Sequence, residues 1–179
     1  MKMTGEKTLP APQENVWRAL NDPEVLRQSI PGCESFEKIA ANAYRAVVAA
    51  KIGPVQARFT GNITLSELDP PNGYTISGEG SGGPAGSAKG SAHVRLEPAA
   101  GGTRLTWTAD AQISGKLAQI GSRLIESAAN MMAGQFFDRF QQVVAGEKPV
   151  ERPVRLVPLW VWGVGGAIIT ALLAWLLLR

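Results

Sequence analysis

Few residues in this 179-residue chain have side chains able to do chemistry. There is one histidine, His93, one cysteine, Cys33, and neither a CxxC nor an HExxH motif, so a zinc site or a Cys/His nucleophile pair lacks material. No catalytic residue and no metal ligand is assigned. His93 precedes Val94 and Leu96, and strand parity turns it to the face opposite theirs, a solvated one. Cys33 follows Pro31-Gly32 in a turn and reads as a small packing residue. Gly78-Glu79-Gly80-Ser81-Gly82-Gly83 spells GxGxxG, but that motif needs a helix N-terminus to receive a pyrophosphate, and Pro84 with the strand-like AKGSAHVRLE supplies none. The glycines instead leave room beside a sheet, for a helix or for a ligand. An enzyme would need titratable groups turned inward, and among Glu79, His93 and Asp110 parity leaves only Glu79 open. Arg58 and Arg123 stand out among the polar groups. Arg123 lies beside an apolar helical stripe, either to bond a ligand carbonyl or a partner's carboxylate, or to lay its stem on the core with its head in water.

The elements that must position these residues show in the periodicity. An extended opening ends at Leu9-Pro10-Ala11-Pro12, followed by a short helix through Val16, Trp17 and Leu20. Asn21-Asp22-Pro23 stops it and caps a second short helix through Val25 and Leu26, and Ile30-Pro31-Gly32-Cys33 breaks the chain again. From Glu34 to Ser114 the period is two: Val55, Ala57, Phe59, Gly61, Ile63 and Leu65 alternate with polar residues, as do Leu105, Trp107, Ala109, Ala111 and Ile113. Turns at Ala41-Asn42, Gly53-Pro54, Pro70-Pro71-Asn72-Gly73, Gly82-Gly83-Pro84 and Gly101-Gly102 divide this stretch into about six antiparallel strands. A helical period then runs from Lys116 to Ala145, with Leu117, Ile120, Leu124, Ala128, Met131, Phe136, Phe140 and Val143 on one face. An antiparallel sheet with one apolar face is completed by laying that helix across it. Small inward residues (Ala57, Gly61, Gly78, Gly80, Ala109, Ala111) opposite Met131, Met132, Phe136 and Phe137 allow either a close-packed core with methionine as filler or an unfilled apolar pocket.

This order of elements, α+β with six to seven strands around a long C-terminal helix, resembles the helix-grip fold of the START/Bet v 1-like (SRPBCC) superfamily. The stretches VWRALNDPEVLRQSIPGCESFE, IGPVQARFTGNITLSELDPP, GEGSGGPAGSAKGSAHVRLE and GGTRLTWTADAQISGKLAQIGSRLIESAANMMAGQFFDRF are similar to the carbon monoxide dehydrogenase G-subunit family. The resemblance covers residues 1 to about 145 and is most specific in IPGCE and GKLAQIGSRLI. It implies an apolar pocket between sheet and helix and a non-enzymatic accessory role beside the subunits of a molybdenum hydroxylase. The expected pocket residues are Phe59, Gly61, Ile63, Gly78, Gly80, Trp107, Ala109, Ile120, Arg123, Leu124, Met131, Met132 and Phe136. The expected ligand is a quinone (menaquinone or ubiquinone) or a similar hydrophobic small molecule, with a bare membrane-recruitment anchor or a general lipid-transfer protein as alternatives.

Val157 to Leu178 carries no charged residue, and at about 1.5 Å per residue it reaches about 33 Å, enough to cross a bilayer core. Trp160, Trp162 and Trp175 lie near its ends, at headgroup depth. Lys148, Arg152 and Arg155 precede this run and Arg179 follows it, so the expectation is a single-pass protein of the bacterial inner membrane with its N-terminal domain (1–146) in the cytoplasm, a Pro-containing linker (147–156) and a span (157–178). The start shows no signal-peptide pattern, and one cysteine suits a reducing compartment. The formal charge is +3, but the residues up to Gly146 hold 14 basic against 13 acidic side chains, and no basic face supports nucleic-acid binding.

Overall fold

A computed structural model describes residues 1–146. The predicted linker and membrane span lie outside the described residues. Among the described residues no helix is long and apolar enough to cross a membrane.

Seven antiparallel strands form one sheet: β1 (Lys2–Leu9), β2 (Cys33–Ala40), β3 (Ala43–Ile52), β4 (Val55–Asp69), β5 (Gly73–Ser81), β6 (Ser87–Ala99) and β7 (Gly102–Ser114). Their order is β1-β7-β6-β5-β4-β3-β2, so β2 to β7 form a meander and β1 joins its far edge beside β7. Between β1 and β2 lie α1 (Gln13–Leu20) and α2 (Pro23–Ser29); after β7 come α3 (Lys116–Gln119) and α4 (Ser122–Val144). The period-two pattern is the cause of the sheet's two faces: along β4 the odd positions from Val55 to Leu65 are covered and the even ones exposed. Asp22 caps α2, its Oδ1 accepting from the N–H groups of Glu24 at 2.8 Å and Val25 at 3.4 Å. Gln13 binds α1 to the sheet by donating to the carbonyl oxygen of Leu96 at 3.0 Å.

The core gathers at one end of the covered face. Leu9, Val16, Leu20, Leu96, Leu105 and Phe140 meet there with little or no exposed surface. Two buried hydroxyls are satisfied locally: Thr103 donates to the carbonyl of Ala11 at 2.7 Å and Ser29 to that of Val25 at 2.7 Å. Two contacts bind the C-terminal half of α4 to β1, an ion pair between Lys7 and Asp138 at 3.7 Å and a hydrogen bond from Gln141 to the carbonyl of Thr8 at 3.1 Å.

The long C-terminal helix differs from the sequence expectation in continuity and in phase. It is broken at Ile120-Gly121, where Gly121 has φ 92°, a left-handed geometry suited to glycine. A face extrapolated across this break from Leu117 and Ile120 selects Leu124 and Met131, which are 52% and 55% exposed. The face that α4 presents inward is instead Ile125, Ala129, Met132, Phe136 and Phe140, one position later until the two series meet at Phe136. Phe140→Ala should therefore lower unfolding stability by about 3–5 kcal/mol, the range for a buried aromatic cut to alanine. Leu124→Ala should change it by no more than about 0.5 kcal/mol, as an exposed position does. Denaturant unfolding followed by circular dichroism separates the two phases, and comparable losses at both positions would restore the continuous helix.

Candidate functional site

Between α4 and the sheet, beyond the core, lies a partly open cavity of about 420 Å³. That is within the roughly 300–1,000 Å³ usual for small-molecule sites. Its sheet side is built from Phe36, Tyr44, Ile63, Leu65, Tyr74, Ile76, Val94, Leu105 and Trp107, with Met3 and Ala92. Leu20, Leu26, Ile30 and Pro31 close one side, and Ala129, Met132, Ala133, Phe136 and Phe137 of α4 form the cover. The two alanines at 129 and 133 keep the middle of the cover thin. Phe136 stacks on Phe140 with ring centroids 5.6 Å apart and meets Phe137 edge-on at 5.1 Å, so the cover's large rings are held from the core end.

Of the residues expected in the pocket, Ile63, Trp107, Met132 and Phe136 stand in its wall. Phe59, Gly61, Gly78, Gly80 and Ala109 lie on the same face of the sheet, as parity requires, but they are not part of the wall. Gly61 pairs with Gly80 and Gly78 with Ile63, a bare patch further along the strands, and a side chain on Gly82 would meet the ring of Phe59 within 2.6 Å. Parity fixes the face of a strand residue and leaves its level along the strand open. Ile120 falls in the break before α4, Arg123 is exposed in its first turn, and Leu124 and Met131 point away through the phase difference described above. The sequence reading missed Tyr44, Tyr74 and the contributions of α1 and α2. Tyr44 did carry a signal, alternating inward with Ala46 and Val48.

The polar residues singled out from the sequence lie elsewhere. Arg58 is exposed and pairs with Glu34 at 2.8 Å, a surface ion pair of small energetic weight. His93 is exposed on the opposite face, where its Nδ1 lies 3.0 Å from the hydroxyl of Thr75, which itself donates to Glu67 at 2.5 Å. Glu79 is exposed and in register with Asn62 and Lys89. Burial pushes the Cys33 thiol up, away from the reactive thiolate, and its Sγ donates to the carbonyl of Ser35 at 3.3 Å. The GxGxxG letters run from β5 into a three-residue 3-10 turn, Gly83–Ala85, and back into β6, with no α-helix to hold a phosphate. Among the described residues no group of His, Cys, Asp or Glu is arranged to hold a metal ion.

Among the described residues no charged side chain lines the cavity. Its titratable groups are the phenols of Tyr44 and Tyr74, each 3% exposed. Burial raises both pKa values above the ordinary tyrosine range, and for Tyr74 the nearby Tyr44 adds to the rise. Both therefore stay protonated at neutral pH and offer hydrogen-bonding hydroxyls, not a base. The cavity's chemistry is that of a receptor for a neutral, mostly apolar molecule.

A family model described as the G subunit of carbon monoxide dehydrogenase (CoxG) matches residues 5–145. The chain belongs to this family. It is an accessory-subunit family, not a catalytic one. Among solved structures, a conserved protein of Geobacillus kaustophilus is 31% identical, with 82% of this chain and 96% of that one aligned at a TM-score of 0.77. A Thermus thermophilus protein (19% identity, 82% and 98% covered, TM-score 0.61) and Ara h 8.0201 (15%, 82% and 99%, 0.58) share the fold. These neighbours are SRPBCC/Bet v 1-like, so this CoxG member has the helix-grip architecture, a seven-stranded antiparallel sheet with a long C-terminal helix. No curated protein matches the sequence.

Two outcomes follow from the cavity of this CoxG chain. Gly5 stands opposite Trp107 in the β1–β7 pairing, and a Cβ added there would come within 2.7 Å of the indole. Gly5→Val should push the indole toward the cavity and weaken binding of an apolar fluorescent probe by about tenfold, on the scale of overpacking costs of ~1–3 kcal/mol. Unchanged probe binding would contradict that geometry. Secondly, Tyr44 and Tyr74 are the chain's two tyrosines, so its phenolate absorbance reports on the cavity alone. Above a pH of about 10 the unfolded chain loses protons that the native chain keeps, so stability should fall with rising pH by up to ~1.4 kcal/mol per unit for each tyrosine. Native phenolate absorbance should stay low at that pH and appear on adding denaturant; ordinary titration of both tyrosines in the folded protein would sink this expectation.

Proposed function

We propose that this CoxG chain carries a quinone, menaquinone or ubiquinone, in its apolar cavity and serves a molybdenum hydroxylase of the carbon monoxide dehydrogenase type at the bacterial inner membrane. The observation that carries the reading is an uncharged cavity of about 420 Å³ in a member of an accessory-subunit family. Electrons leaving a soluble hydroxylase must reach a lipid-dissolved acceptor. Exposing a prenyl tail to water costs roughly 0.8 kcal/mol for each methylene-sized group, so an acceptor cannot leave the bilayer unaccompanied. A protein that presents an apolar cavity beside the membrane lowers that cost. The Val157–Leu178 segment supplies the attachment in this reading, with the helix-grip domain on the cytoplasmic side.

The test uses the full chain purified from its membrane fraction. Mass spectrometry of the protein under native conditions should find a co-purifying quinone, or binding of added quinone at micromolar levels, and the hydroxylase subunits should be retained on the immobilised chain. Retention of the enzyme without any quinone would leave a recruitment anchor alone. A chain ending at Gly146 should still bind quinone and enzyme but leave the membrane fraction, and unfolding of that fragment would refute the division at residue 146.

A further inference from the structure

Tyr44 on β3 and Tyr74 on β5 are the two cavity residues whose side chains end in a hydroxyl, and neither hydroxyl bonds another residue among the described ones. A hydroxyl sealed from all solvent without a partner would cost about 1–3 kcal/mol. Yet no sealed, partnerless side-chain polar atom exists among the described residues. The little surface that Tyr44 and Tyr74 keep therefore includes their hydroxyl oxygens, and both residues border the cavity. Neighbouring rings hold each in place: Trp17 meets Tyr74 edge-on at 5.5 Å, and Phe36 lies 5.4 Å from Tyr44. The two phenols are near enough that charge on Tyr44 would act on Tyr74.

We propose that Tyr44 and Tyr74 are the polar end of the cavity and hydrogen-bond a ring oxygen of a neutral ligand, which enters with its oxygenated ring first and its apolar remainder against α4. This rests on the quinone-carrier reading and adds to it the residues that select the ligand and set its direction. An ionised lipid carboxylate is disfavoured, because among the described residues no cation lines the cavity to pair with it. A plain hydrocarbon would leave both phenols unsatisfied. A neutral phenol both donates and accepts, so the same pair suits the carbonyl of an oxidised quinone and the hydroxyl of its reduced form. A carrier that loads one form and releases the other needs that tolerance.

The test compares 2,3-dimethyl-1,4-naphthoquinone with 2,3-dimethylnaphthalene, which has the same rings without the oxygens, against the full chain in lipid nanodiscs corrected for partition into empty discs. The quinone should bind about tenfold more tightly, as expected for two neutral hydrogen bonds in a dry site. Its carbonyl stretch, followed by infrared spectroscopy with a 13C-labelled carbonyl, should shift down on binding. Tyr44→Phe with Tyr74→Phe should abolish both the preference and the shift while leaving 2,3-dimethylnaphthalene binding intact. Equal binding of the two compounds with an unshifted carbonyl in the wild type overturns the tyrosine assignment and leaves an apolar-ligand carrier standing. Failure to bind either overturns the carrier reading and this inference together. Because the infrared shift is read on the wild-type chain, it decides the matter even where a variant misfolds.

Discussion

Phe140 has no exposed surface, and its ring fixes the last turns of α4 among Leu9, Leu96 and Leu105 at one end of the sheet. Lys7–Asp138 and Gln141–Thr8 repeat the attachment at the level of β1. The contact sets the tilt and rotation of the helix for everything upstream of it. With Phe140 buried, residues three or four positions apart must point the same way, which brings Phe136, Met132 and Ala129 over the sheet. Along that length α4 touches α2 extensively and the strands only slightly. The space left between them is the cavity, and the large side chains at Tyr44, Tyr74 and Trp107 fill part of it from below.

The covered face is filled unequally, and the cavity lies between its closed core and a bare patch further along the strands. At the core end, leucines from β1, β6 and β7 close the gap to the helix. At the far end the same face carries Gly61, Gly78 and Gly80, which have no side chains to raise toward α4. Hydrophobic burial drives the first region together, while the glycine patch lies beyond the cavity wall and adds no side chain to close it off. A single sheet thus provides both the stability of the CoxG domain and the volume for a guest molecule.

Much of this was legible in the sequence because it depends on short-range rules. Alternation along β4 and β7, the turn dipeptides, the Asp22-Pro23 cap and the 3.6 period after Ser114 each act within a few residues, and together they specify the helix-grip order. The family resemblance rested on IPGCE and GKLAQIGSRLI, and the family match covers both. What could not be read is what depends on level and phase. Gly61 and Ile63 look alike to a parity rule, yet only Ile63 reaches the cavity. Gly121 looks like a tolerated helical glycine, yet its backbone turns left-handed and shifts the register of everything between it and Phe136. Tyr44 and Tyr74 look like core aromatics, and only three-dimensional accounting of their hydroxyls distinguishes them.

The break at Gly121 has a mechanical consequence. Before it, α3 is seated against β7 and the Gly83–Ala85 turn, with Leu117 and Ala85 buried; after it, α4 buries Ile125 and packs on α2, touching the strands little, before Phe140 enters the core. The helix is thus a beam backed by α2 and anchored in the core at Phe140, with a glycine joint at its start. A guest of greater girth would press the Ala129–Ala133 stretch outward together with α2, on which it packs, and would disturb the strands beneath, which α4 scarcely touches, far less.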